Sequence, residues 1–237
     1  MVNLTGDTHR EFSRIESFCN EFATNDDDIL IILGDACINY YGDERDIYLK
    51  KRLARLPITL FCIHGNHERR PYTIPTYEES LWHEGIVYSE PDYPSLLFAK
   101  DGEIYNFDGR RCIAIGGAYS IDKHYRLARG WHWWEEEQPS DEIKARVEKR
   151  LAQENWQVDI VLSHTCPLKY EPQEVFIRGI NQDLVDKSTE EWLDTIEEKL
   201  TYSAWCCAHY HTTKIIEQVR FLFKDICPLD SFTPQFL

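Results

Sequence analysis

Five short polar segments carry residue types that bind metal ions or move protons. They are Asp7-x-His9, Gly34-Asp35, Gly65-Asn66-His67-Glu68, His164 and His209-x-His211. Carboxylate oxygen, amide oxygen and imidazole nitrogen together suit manganese, iron, zinc or a similar ion better than calcium or thiolate-seeking metals. Two carboxylates, four histidines and an amide exceed what one tetrahedral ion accepts, so the set fits two ions sharing a bridging carboxylate. In an extended segment, residues two apart share a face. That geometry would aim His209 and His211 the same way, and Asp7 and His9 likewise if their strand continues.

Each segment follows an apolar run of strand length, at residues 2–5, 29–33, 58–63, 158–162 and 203–208. Open α/β sheets hold ligands outside the carboxyl ends of their strands, so the five segments are expected to converge on one crevice. Helical spacing joins Phe12, Ile15, Phe18, Cys19 and Phe22, and less regularly Ile47, Leu49, Leu53 and Leu56, ending at Pro57. Thr76 with Glu79 fits a capping box opening a short helix over Leu81 and Trp82. Ser140 can cap a helix carrying Ile143, Val147 and Leu151, and Ser188 with Glu191 forms a capping box before Trp192, Ile196 and Leu200. Segments 96–100, 103–107 and 110–115 are divided by Asp101-Gly102 and Asp108-Gly109. Asp-Gly is hairpin-turn chemistry, so these three predict a β-meander. Residues 214–223 complete the strands. The mixture predicts an α/β fold, one mixed sheet or two, covered by helices in a single domain over 1–237.

Composition narrows the partners. Twenty-six basic against 41 acidic residues leave a net charge of −15, which disfavours extended nucleic acid and anionic membrane surfaces. No apolar stretch approaches a membrane span, and no leader pattern is visible at the N-terminus. Eight cysteines without a C-x-x-C pair read as buried thiols of a reducing compartment. The expectation is a soluble, cytoplasmic protein.

The ordered set of five segments resembles the calcineurin-like metallophosphoesterase superfamily. Five of the nine histidines fall on its motif positions, too many for coincidental polar strand ends. The resemblance implies an α/β/β/α sandwich of two mixed sheets flanked by helices. It implies two divalent or trivalent ions (manganese, iron or zinc), the first held by Asp7, His9, Asp35 and His211. Asp35, Asn66, His164 and His209 would hold the second, with Asp35 bridging. It also implies hydrolysis of phosphate mono- or diesters by a metal-bridging hydroxide, with His67 as acid or phosphate positioner. Substrates of this kind include small phosphoesters, nucleotides and phosphopeptides. Ile38, Asn39 and His64 depart from the protein-phosphatase pattern, and Arg10 replaces the glycine that follows the first histidine. The usual acidic partner of His67 is therefore missing from its place.

A weaker resemblance, to a bacterial and phage branch, lies in residues 116–123 with Arg126 and the tryptophan-rich 131–134. Lys123 and Arg126 follow a strand and could reach a substrate phosphate, or pair with surface carboxylates. The tryptophan run could be a lid or a packing anchor. His64 reads as a structural histidine, and Cys37 and Cys166 as space-filling. An alternative function is a metal-binding interaction scaffold with the same fold and little catalysis. His67 favours the enzyme, because a scaffold has no need of a non-ligand histidine.

Overall fold

The computed structural model describes residues 1–232, so residues 233–237 of the expected single domain lie outside the described residues. In chain order the first strands are β1 (Val2–Thr5), β2 (Ile29–Ile32), β3 (Thr59–Cys62), β4 (Glu78–Trp82), β5 (Gly85–Ser89) and β6 (Leu96–Ala99). Next come β7 (Ile104–Phe107), β8 (Arg110–Ile115), β9 (Ile160–Ser163) and β10 (Ala204–Cys207). The last are β11 (Lys214–Ile216), β12 (Val219–Phe221) and β13 (Cys227–Pro228). The helices are α1 (Ser13–Phe22), α2 (Glu44–Leu53), α3 (Lys123–Arg129), α4 (Asp141–Gln153) and α5 (Ser188–Glu197).

Two mixed sheets result. One runs β13-β1-β2-β3-β6-β5-β4 and the other β11-β12-β10-β9-β8-β7. Strands β1, β2, β3 and β6 are parallel, as are β12, β10, β9 and β8. Strand periodicity divides the side chains among three cores. Ile29 and Ile31 of β2 join Ile160 and Leu162 of β9 in the core between the sheets. Leu30 and Ile32 face outward to Ile15 and Phe18 of α1 and Leu49 and Leu53 of α2. Val161 faces outward to Ile143 and Val147 of α4 and Trp192 and Ile196 of α5. Both central strands are apolar on both faces because both faces are covered. The order is helices, sheet, sheet, helices.

The expected meander is corrected. Asp108-Gly109 does turn a β7–β8 hairpin, but β6 pairs with β3 and β5 in the other sheet. Asp101-Gly102 is thus a crossover between sheets, and the Asp101 side chain explains why. Buried at 6% exposure, it pairs with Arg70, itself 2% exposed, and accepts the Gly116 N–H at 2.5 Å. Arg70 also donates to Glu136 O at 2.8 Å, tying three loops together. Arg70→Met keeps bulk but leaves a buried carboxylate without its charge partner, so it should lower unfolding free energy by about 3–5 kcal/mol. Urea unfolding measures this, and a loss below about 1 kcal/mol, the surface-pair range, would contradict it.

Three local expectations also change. The helix predicted over Leu81 and Trp82 is strand β4, because five residues of it pair with β5 and Trp82 stacks on Phe61 at 5.2 Å. Thr76 bonds Glu90 and Glu79 bonds Lys100, so neither forms a cap. Residues 214–223 fold back as the β11–β12 hairpin through Glu217 at φ 52°. Helix α5 is present, but Ser188 Oγ turns to Gln138 rather than capping it. Ser140 does cap α4, accepting from Ile143 N.

Candidate metal centre

All five segments leave the carboxyl ends of parallel strands, β1, β2 and β3 of one sheet and β9 and β10 of the other. Two glycines let the loops touch. A Cβ on Gly34 (φ +99°) would stand 2.0 Å from His164 Nδ1, and one on Gly65 would stand 2.1 Å from Asp35 N and Oδ1. Neither position has room for any other residue.

The loops are not extended, contrary to the periodicity argument. His9 (φ 46°), Arg10 (69°), Asp35 (46°), His209 (63°) and His211 (50°) occupy the left-handed region. Such strain gathers where surrounding contacts fix it for function. Arg10 holds the conformation a glycine adopts freely, and its Nη1 bonds Asp46 Oδ1 at 2.6 Å and Cys37 O at 2.7 Å. Those bonds account for the departure from the family pattern at this position. As a result His209 and His211 part company. The His209 ring meets His164 with centroids 5.0 Å apart, whereas His211 meets His9 at 4.9 Å.

Asp7, His9 and His211 form one cluster whose candidate ligand atoms lie within 4.8 Å of one another. His9 Nε2 faces His211 Nε2 at 2.8 Å, and these stand 3.6 and 2.9 Å from Asp7 Oδ2. Asp7 Oδ2 is buried and has no hydrogen bond of acceptable geometry. Asp35 lies between the groups. Its Oδ2 is 3.8 Å from His9 Nδ1 and from His67 Nε2, and its Oδ1 is 3.7 Å from His164 Nε2. His164 Nδ1 lies 2.8 Å from Leu33 O, which can only accept. A neutral His164 therefore carries its proton on Nδ1 and its lone pair on Nε2. That lone pair faces Asn66 Oδ1 at 2.8 Å, while the Asn66 amide nitrogen donates to Ser120 Oγ at 2.8 Å. Acceptors pointed at acceptors repel unless a cation lies between them. The donor set accordingly fits divalent ions on both sides of Asp35.

The charge states reflect how closely carboxylates and imidazoles are packed: against burial, Asp7 and Asp35 raise the His9 pKa. Burial would raise the Asp7 and Asp35 pKa values, but neighbouring imidazoles hold both below the ordinary carboxylate range. Burial, with His164 beside it, drives His209 down to about 3, so its ring is neutral and free to ligate. His67 is lowered as well, by burial and by Arg126 against the pull of Asp35.

Of the two sequence-nominated cations, only Arg126 reaches the site. Its Nη2 stands 3.5 Å from His67 Nε2, and it is braced by Asp122 and Tyr40. Lys123 lies over the Trp133 ring at 4.0 Å. Trp133 and Trp134 bond Glu137 and Tyr40, so their side chains anchor the loop. His64 is buried, and its carbonyl accepts Gly117 N–H.

Sequence reasoning missed several neighbours. Arg14 donates to the carbonyls of Gly6, Asp7 and Phe223, bracing the first loop. Glu68, fully buried behind Asp35, accepts from Ile38 N and is pushed up to about 8 by burial and the Asp35 charge. Its place in the third motif was the only signal. Thr165, beside His164, donates to Glu190 at 2.7 Å. Burial pushes the Glu190 carboxyl up from 4.5 to about 7. Stability from its neutral form is full below the unfolded value and lost as pH rises through about 7. Glu190→Gln should thus gain on the wild type by about 3 kcal/mol between pH 4.5 and 8, read by urea unfolding. Parallel pH profiles would contradict it.

A cavity of about 380 Å³ opens against Asp35, Asn66, His67, His209 and His211. Among the described residues no helix is long and apolar enough to cross a membrane.

Comparison with known proteins follows the same line. The sequence profile of the calcineurin-like phosphoesterases matches residues 2–213. The crystal structure of TT1561 of Thermus thermophilus aligns over 94% of this chain and 87% of its own, at 11% identity and TM-score 0.50. A protein of unknown function, AQ665 from Aquifex aeolicus, aligns over 72% and 81%, at 14% identity and TM-score 0.33. At these identities the first shows a shared fold alone, and the second likeness is too slight to add to it. No curated protein matches the chain. Because the profile runs through all five candidate segments, the chain belongs to the calcineurin-like phosphoesterase family, in general metal-dependent phosphoester hydrolases.

Proposed function

We propose that this protein is a dinuclear-metal phosphoesterase acting on phosphate mono- or diesters. Asp7, His9, Asp35 and His211 would hold one ion and Asp35, Asn66, His164 and His209 the other, with manganese, iron or zinc the best fits to this donor set. The observation that supports this most is the convergence of metal-ligand atoms on both sides of Asp35, the unpaired Asp7 Oδ2 with His9 and His211 on one side, and His164 Nε2 facing Asn66 Oδ1 on the other. When bound, two such ions supply an acidified water and neutralise charge on the phosphoryl oxygens.

The chain's own groups do the rest. Leu33 O sets the His164 tautomer and Ser120 sets the Asn66 amide, so both present lone pairs inward. His67 N–H bonds Asp35 Oδ1 at 2.8 Å, which fixes the backbone that carries the imidazole. His67 can then hold the phosphoryl group or, once protonated against its lowered pKa, pass that proton to the leaving oxygen. Arg126 beside it adds donors and positive charge for the same phosphoryl group. The eight free cysteines fit a reducing compartment, the cytoplasm.

The test is turnover of 4-nitrophenyl phosphate and bis(4-nitrophenyl) phosphate with manganese, magnesium, zinc and iron. At least one ester should be hydrolysed with at least one metal, with activity lost to chelator and restored by metal. No hydrolysis of either ester with any metal would leave the scaffold reading in its place.

A further inference from the structure

We infer that the cavity beside the candidate metal centre is a leaving-group pocket for uncharged apolar or aromatic alcohols, and that it rejects esters whose alcohol half carries a second anion. The inference rests on the phosphoesterase reading and narrows its substrate class.

The cavity's 380 Å³ lies in the lower part of the ~300–1,000 Å³ range of small-ligand sites, enough for one compact organic group. Its inner end is the site; its outer walls come from the segment after β9 and from the loop before α3. Val175, Phe176, Ile177 and Val185 face Ile121 and Tyr210 there. The Phe176 and Tyr210 rings lie nearly parallel, 18° apart with centroids separated by 6.2 Å, and Tyr210 meets the His209 ring at 5.0 Å. A flat apolar surface thus begins beside His209 and leads away from the phosphoryl position. Aromatic walls of this kind favour a planar or apolar group.

Charge sets the exclusion. Away from the site the lining carries the carboxylates of Asp122, Glu171 and Asp186 beside the Glu190 carboxyl, which burial favours in its neutral form, and its one basic residue is Lys187. Lys187 Nζ is already 2.6 Å from Glu171 Oε2, and Asp122 is held by Arg126. A second phosphate or a carboxylate in this arm would meet carboxylates and would have to break an existing ion pair for a partner. Nucleoside polyphosphates and acidic phosphopeptides therefore fit poorly, whereas a monophosphate ester of an apolar alcohol fits well.

Two non-hydrolysable probes test this, 3-phenylpropylphosphonate and 2-carboxyethylphosphonate, titrated calorimetrically into the manganese-loaded protein. The phenylpropyl probe should bind about tenfold to a hundredfold more tightly, the value of burying one such group. Phe176 is only half-buried on a surface segment, so Phe176→Ala should fold normally. That variant should weaken the phenylpropyl probe at least about fivefold and leave the carboxyethyl probe unchanged. Equal affinities, a preference for the carboxyethyl probe, or equal weakening of both by the variant would overturn the inference. Turnover of the matching phosphate esters separates the two claims. Hydrolysis without the preference removes the pocket assignment alone. The binding preference without hydrolysis of any ester supports the pocket and removes the phosphoesterase reading.

Discussion

Asp35→Asn should abolish the second metal and lower turnover about 10³- to 10⁴-fold, several kcal/mol of barrier. Asp35 is 1% exposed and stands within 3.8 Å of imidazole nitrogens from His9, His67 and His164. Asp7 also lies near both groups, its Oδ1 3.9 Å from His164 Nδ1 and accepting the His209 N–H at 3.2 Å. It is Asp35, however, that stands 3.7 Å from His164 Nε2, the nitrogen left to ligate. Asparagine keeps the shape and an oxygen for the His67 N–H, but it removes the charge that two cations would share. Metal analysis of the purified variant should therefore find at most one ion per chain. Loss of activity with two ions retained would contradict the bridging role. Loss of the fold would show as unfolding already in chelator-treated protein, and that measurement separates the two causes.

How far the site was legible in the sequence follows from what each feature depends on. Ligand identity and its place after a strand are local properties. The order from Asp7 to His211 was readable for that reason, and so was the strand in the unbroken apolar run at 29–33, whereas its division between two cores came only with the structure. Geometry decided by distant partners was not. Asp101-Gly102 has hairpin chemistry, yet its carboxylate is claimed by Arg70, thirty-one residues away. Thr76 and Glu79 have capping chemistry, yet pairing with β5 makes a strand there. His209-x-His211 looks extended, but two left-handed residues send the rings to different neighbours. The cavity wall between β9 and α5 is built from single turns at Leu168–Tyr170, Gln173–Val175 and Gln182–Leu184. Turns that short carry no periodicity to read. Lys123 and Arg126, three residues apart on one helix, looked equivalent until Trp133 claimed one and His67 met the other.

His67→Ala should keep both metals and still lose about 10²- to 10⁴-fold in turnover, the usual worth of a placed proton donor. His67 is the one motif histidine that is outside both proposed ligand groups. It lies 3.8 Å from Asp35 Oδ2, and its ring nitrogen faces Arg126. Its removal takes nothing from either ligand group, so metal content should match the wild type. The loss should fall on kcat rather than on KM, because the group acts on charge that develops as the ester bond breaks. A variant with wild-type rates would remove His67 from the mechanism. A variant that loses metal would make it a ligand instead.

The claim beneath both predictions is that two ions sit on either side of Asp35. Anomalous scattering from crystals of the manganese-loaded protein measures that directly. Two peaks about 3.5–4 Å apart are expected, one against Asp7, His9 and His211 and the other against Asn66, His164 and His209. A single peak at Asp7, His9 and His211, or none at either group, would contradict it.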